Sequence, residues 1–184
     1  MADPGYKQLI SYKLAQIAFD LGWDFIPRYY TKPEDGRQRD QIKQALRPYK
    51  QNIVEGSSER SLSSKLKLYD VAKSSSVEAL EDFEDILRRE HLPRWLKSDP
   101  RLANLRQIFE NYPVSNPSNP SNPPDPPRLS TEVTVNYLID LLLRGGFLLD
   151  RQINAIEQKH RLSGGYNENL LRRRLEYRRS NPPN

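Results

Sequence analysis

Residues 51–87 constrain what this chain can fold into more than any other stretch. They open on Gln51-Asn52-Ile53-Val54-Glu55-Gly56-Ser57-Ser58 and continue from Ser61 as a long helical run that ends in Glu81-Asp82-Phe83-Glu84-Asp85-Ile86-Leu87. Gly56 with its flanking serines reads as a helix stop. Ser61 and Ser63 are both N-cap residues by type, because a hydroxyl there can accept from a free amide of the first turn. The pattern predicts two helices joined by a short corner, and short corners make antiparallel neighbours. Asn52, Glu55 and Gly56 form the structural corner. Asn52 and Glu55 lie three residues apart on nearly one helical face, and tying down the start of the next helix is their expected role.

The remaining chain supplies helices to pack on this hairpin. The first is expected over residues 6–31, where Ile10, Leu14, Ile17, Leu21 and Phe25 recur at helical spacing. Pro27 should kink or end its last turn. The second, over 37–56, carries Ile42, Leu46, Tyr49 and Ile53 as its apolar stripe. Pro48 lies inside it, at a cost of roughly 3 kcal/mol in helix propensity, so a bend is expected there. The third, over 62–91, has Leu66, Tyr69, Ala72, Val77, Leu80, Phe83 and Leu87 on its buried edge, and Ser74, Ser75 and Ser76 mark a close approach between helices.

Pro93 and Pro100 then break the pattern, and a short helix is expected over 100–111. The triplet Ser-Asn-Pro follows three times from Ser115, and residues 113–127 hold 7 of the chain's 15 prolines. Such composition builds no core and reads as a flexible insertion before helix four. Ser130 is the N-cap candidate for that helix, over 131–162, with Val133, Tyr137, Leu141, Leu148, Ile153 and Ile156 inward. Gly145-Gly146 is tolerable within it where a neighbour packs closely, and Ser163-Gly164-Gly165 ends it. A short basic helix over 167–179 closes the chain. No strand pattern occurs, so the expected fold is all-α, an up-down-up-down four-helix bundle.

Composition excludes several kinds of chemistry. Cysteine is absent, which removes disulfides, thiolate metal sites and a cysteine nucleophile and gives no sign of export. The opening residues are polar, without the basic-then-apolar order of an export signal. The longest apolar run, residues 137–143, contains Asp140 and falls short of the ~18 residues of a membrane span. A cytoplasmic protein that does not enter membranes is expected. His91 and His160 have no partner at metal-ligand spacing, and Glu157 with His160 is the only Glu-x-x-His pair, where a di-iron bundle needs two. No glycine-rich phosphate loop occurs. No metal, no cofactor and no enzymatic activity are expected.

Charge is more informative. The chain holds 29 basic and 24 acidic residues, a net +5. Arg39, Lys43, Arg47 and Lys50, at spacings of 4, 4 and 3, form a stripe on helix two about 100° round from its apolar face. The last helix adds Arg172, Arg173, Arg174, Arg178 and Arg179. Residues 128–184 carry 10 basic and 6 acidic groups, against 19 and 17 in residues 1–112, so the excess is concentrated in the tail. Arginine suits bidentate phosphate contacts. These nine residues are the candidate nucleic-acid surface. An opposing acidic cluster, Glu78, Glu81, Asp82, Glu84, Asp85 and Glu90, is either solvated or meets the basic face of a neighbouring subunit.

Residues 50–58, followed by Leu68-Tyr69-Asp70-Val71-Ala72-Lys73-Ser74-Ser75-Ser76-Val77-Glu78-Ala79-Leu80-Glu81, resemble the signature of a bacterial four-helix-bundle family. That family was first met in proteins encoded in intervening sequences of large-subunit ribosomal RNA genes. Its hallmark is an Asn-Ile-Xaa-Glu-Gly corner and then a serine-rich helix. Residues 137–174, with Leu148-Leu149-Asp150-Arg151-Gln152-Ile153 and Gly164-Gly165-Tyr166, are similar to the family's "suffix" version. The resemblance implies a ring-like homopentamer. It also implies kinship with the accessory variability determinant of diversity-generating retroelements, a basic pentamer that binds the element's reverse transcriptase and template RNA. The expected function is a non-enzymatic oligomeric adaptor that binds RNA, or an RNA–DNA hybrid, and docks a reverse transcriptase. The alternative is a protein-only interaction bundle whose arginines pair with acidic faces of neighbouring subunits.

Overall fold

A computed structural model describes residues 5–110, 129–164 and 166–181, and among these all regular structure is helical. The proline-rich stretch 113–127 lies outside the described residues. A 3-10 turn, Gly5–Gln8, precedes α1 (Ile10–Tyr29), and a second, Pro33–Asp35, precedes α2 (Gly36–Ser58). Then come α3 (Leu62–Arg89), α4 (Pro100–Glu110), α5 (Thr131–Ser163) and α6 (Tyr166–Ser180).

The four long helices close a square: α1 packs on α2, α2 on α3, α3 on α5, and α5 on α1. Contacts in register fix their directions. Phe19 meets Lys50 while Trp23 meets Lys43. Gly56 faces Tyr69 while Gln38 reaches Asp82. Lys73 pairs with Asp150 while Ser76 faces Gly146. Each helix therefore runs antiparallel to the next. The stripe of α2 is buried as its spacing predicts, with Ile42, Leu46, Tyr49 and Ile53 all in the core beside Leu14, Leu21, Phe25 and Phe83. Ile10 departs from expectation at 58% exposed. It is the first residue of α1, and the 3-10 turn before it leaves its side chain uncovered.

The corner between α2 and α3 differs from its sequence reading. Gly56 is not a stop, because α2 runs unbroken through Pro48 and past Gly56 to Ser58. Gly56 is buried, and a methyl there would lie 2.6 Å from the Tyr69 ring, so the glycine serves a close helix contact. Residues 59–61 make the turn. The Glu59 carboxylate accepts the amides of Arg60 (2.8 Å) and Ser61 (3.0 Å), and Ser61, the N-cap, accepts the Ser64 amide at 3.4 Å. Asn52 and Glu55 do not tie down α3. Asn52 donates to the Pro48 carbonyl (2.9 Å) and Glu55 accepts from Gln51 (3.2 Å), both within α2.

On α3 the buried edge passes through Ser75, Ser76 and Ala79, and Val77 is turned out at 48% exposed. Small residues take that edge because α5 comes close. Gly146 lies against Ser76, and a methyl at Gly145 would overlap the Tyr49 hydroxyl. Ser130 caps α5 by accepting the Val133 amide at 3.4 Å. Residues 134–142 are buried on every side, since α4 and the segment before it lie over the outer face of α5. The Trp95 amide donates to Asn136 (2.7 Å), whose side chain donates to the Pro93 carbonyl (3.0 Å). Phe109 packs on Tyr137 at 5.3 Å between centroids. Arg106 forks onto Asp140 (2.5 and 3.0 Å), and Arg144 pairs with both Glu110 and Asp140.

Ile153 is the last fully buried residue of α5 and Ile156 still packs half-buried on the core, so the final seven residues run past the packed body to Gly164, whose φ of +71° ends the helix. On α6, Leu170, Leu171, Leu175 and Tyr177 are all at least half exposed. Among the described residues no helix is long and apolar enough to cross a membrane.

Candidate nucleic-acid interface

The basic stripe of α2 sits on the seam with α1, where the sequence reading set no partner for it. Phe19 and Trp23, one turn apart on α1, stack at 5.2 Å and 28°. Lys50 Nζ stands 3.6 Å from the Phe19 centroid, and Lys43 Nζ stands 4.4 Å from that of Trp23. Each such contact is worth about 0.5–1 kcal/mol at an exposed site. Arg39 donates to the Tyr30 carbonyl (3.4 Å), one of the acceptors left open where α1 ends. Arg47 stands exposed between the lysines. None of the four makes an ion pair among the described residues.

This crowding shifts titration. Burial, chiefly, and the nearby Arg47 charge hold the Lys50 ammonium below its ordinary range, against the pull of Asp20. Burial holds the Asp20 carboxyl above its ordinary range, opposed by Gln16, which donates to it at 2.7 and 2.8 Å, and by Lys50. Between the helices lies an open cleft of about 510 Å³. Trp23, Lys43, Arg47, Pro48, Gln51 and Asn52 line it, and Asp40 and Glu55 are also on its rim. Asn52 and Glu55, read as corner residues, thus belong to this cleft.

Arginines of α3 and α4, and Lys73, are held by carboxylates instead. Arg88 and Arg89 pair with Asp85, Arg94 with Glu84, Arg101 with Asp99 and Glu132, and Lys73 with Asp150. Four of the six acids of the α3 cluster are engaged within the chain, while Glu78 and Glu81 are exposed. Besides those pairs, Asp82 accepts from Gln38 (3.4 Å) and Glu90 from the Tyr29 hydroxyl (2.7 Å).

On α6, Arg172 donates to Asn169 at 2.6 Å. Arg173, Arg174, Arg178 and Arg179 are exposed and make no ion pair among the described residues. The structure does not join the two predicted clusters, because α6 and α2 share no packed interface. The sequence reading missed Phe19 and Trp23. Their signal was a four-residue spacing that falls off the Leu14–Leu21–Phe25 face. No protein-family model, curated protein or solved structure matches this chain.

Proposed function

We propose that the chain is a four-helix bundle of the ribosomal-RNA intervening-sequence type, assembled as a ring-like homopentamer. In this reading it is a cytoplasmic, non-enzymatic basic adaptor that holds RNA, or an RNA–DNA hybrid, and docks a reverse transcriptase, as the accessory protein of a diversity-generating retroelement. The sorting of cations carries the reading. Among the described residues, Arg39, Lys43, Arg47 and Lys50 are left without carboxylate partners while the arginines of α3, α4 and the N-terminal half of α5 are paired. Unpaired cations in a row suit a phosphate backbone, and five copies would multiply weak single sites into useful avidity. The exposed leucines of α6 support the docking part, since a helix of about 15 residues is marginal in water without a surface to pack on.

Those leucines equally favour the second reading, a protein-only bundle, and one experiment separates the two. Anisotropy of a labelled generic RNA is titrated between about 50 and 200 mM salt, where each neutralised phosphate of a single strand adds about −0.7 to the slope of log K. A steep slope is expected. Changing Lys43, Arg47 and Lys50 together to glutamine should weaken all RNAs alike and flatten that slope by about 2. A flat slope for the parent chain would leave the protein-only reading in possession.

A further inference from the structure

The chain has two tryptophans in opposite environments. Trp95 is 4% exposed and donates its indole N–H to Glu132 at 2.7 Å. Trp23 is 48% exposed. Leaving so large an apolar ring in water forgoes the burial that normally stabilises it. Phe19 backs the ring, and over it stands the Lys43 ammonium, a weak contact at an exposed site that exchanges readily.

The cleft beside that ring has the rest of what a nucleotide needs. Lys43, Arg47 and Lys50 rise along α2 at about 6 and 4.5 Å per step, from the 1.5 Å rise per residue, so successive phosphates of an extended strand can meet them. Asn52 uses its Nδ2 on Pro48, and its Oδ1 takes no partner among the described residues. Pro48 has no amide hydrogen, which removes the donor that would have bonded the Gln44 carbonyl. Gln44 and Asn52 both line the cleft. Asp40 and Glu55 also line the cleft, and their carboxylates repel a phosphate, so the phosphate path follows Lys43, Arg47 and Lys50.

We propose that the Trp23 ring is a stacking platform for one unpaired nucleobase of single-stranded RNA, with Lys43 and Arg47 on the flanking phosphates. The proposal rests on the RNA-binding reading of the α2 stripe and narrows it to single strands. A duplex keeps its base faces stacked on one another, so only an unpaired base can offer its face to an indole. When it does, Lys43 leaves the ring for a phosphate, exchanging a cation–π contact for a charge-assisted hydrogen bond.

The test uses the full chain with two probes, a 12-nucleotide oligouridylate and a fully paired RNA duplex of equal length. The single strand should quench tryptophan emission, and a Trp95→Phe chain, which keeps Trp23 alone, should show the same quench. Trp23→Ala should weaken single-strand binding about 5- to 150-fold with the salt slope unchanged, and Trp23→Phe should recover most of the loss. Neither change should alter duplex binding. Melting followed by circular dichroism confirms the fold. Should Trp23→Ala melt early, Trp23→Leu keeps the apolar bulk without the π face. Equal quenching by the duplex would overturn the platform. So would an unweakened Trp23→Ala chain whose binding still falls on changing Lys43 and Arg47 to glutamine, and in that case the stripe stands. If the parent binds neither probe with salt dependence, the RNA reading fails and the platform falls with it.

Discussion

The Tyr49 hydroxyl is buried without a hydrogen-bond partner among the described residues, and it fills the space a side chain at position 145 would need. A buried unpaired hydroxyl costs about 1–3 kcal/mol in desolvation. Tyr49→Phe is therefore expected to be neutral or to stabilise by about 1 kcal/mol. Gly145→Ala gains about 1 kcal/mol of helix propensity but overpacks the core, and a net loss of about 1–2 kcal/mol is expected. In the Tyr49→Phe background that loss should shrink, because the overlapping atom is gone. A double-mutant cycle from urea unfolding measures the coupling, and additivity within error would show that the hydroxyl is not what limits position 145. This contact was half legible. Two glycines inside a helix announce a close neighbour, since nothing else offsets their propensity cost. Which side chain comes close was not readable, because Tyr49 lies on another helix nearly a hundred residues earlier.

At the level of elements, the docking of α4 on α5 rests on few polar groups. Asp140, 5% exposed in its side chain, holds both Arg106 and Arg144. Asp140→Ala leaves Arg106 without a carboxylate and Arg144 with Glu110 alone, and should cost about 3 kcal/mol, more than Arg106→Ala, which leaves Asp140 with Arg144. Chemical denaturation of the two variants checks the order. On α3 the charge balance runs the other way. Burial first, then the charges of Glu78 and Asp85, hold the Asp82 carboxyl above its ordinary range, while Arg89 pulls it down. Its charged form is thus disfavoured in the folded state, and the cost is present at neutral pH. It vanishes once pH falls below the unfolded value of about 3.9, where both states hold the proton. Asp82→Asn should therefore be more stable than the parent at pH 7 and indistinguishable from it in acid, by thermal melts across that range. An unchanged difference at low pH would assign the effect to packing. Helix existence and the stripe of α2 were legible because large apolar residues recur at one spacing. The edge of α3 was misread at Val77 because small residues carry the tightest contact, and a search for hydrophobicity passes over Ser75 and Ser76. The all-round burial of residues 134–142 was hidden for a related reason. Asn136 and Asp140 look like solvent-facing residues until Trp95, from the irregular segment before α4, and Arg106, from α4, supply their partners.

For the whole molecule, the arginines of α3, α4 and the N-terminal half of α5 are ion-paired and the basic row of α2 is not, among the described residues, and the proposed pentamer would repeat that contrast five times. Light scattering at micromolar concentration should return a five-chain mass, and a monomer would remove the avidity on which the adaptor reading depends. Ending the chain after Gly164 deletes no buried side chain among the described residues. It should leave the melting temperature within about 2 °C of the parent while weakening RNA binding, which separates the arm from the body as functional parts. A large drop in melting temperature would mean that α6 packs on the body in solution. The seven residues of α5 beyond Ile156 have one more consequence. At 1.5 Å per residue they set the start of α6 about 10 Å beyond the last side chain packed on the core. A target captured by the arginine arm is thereby tethered within a short radius of the α2 seam before it touches it. The second contact then forms at the high local concentration that a short stiff spacer creates. Shortening that spacer by whole turns would change how fast the seam is found without changing any residue that grips the ligand.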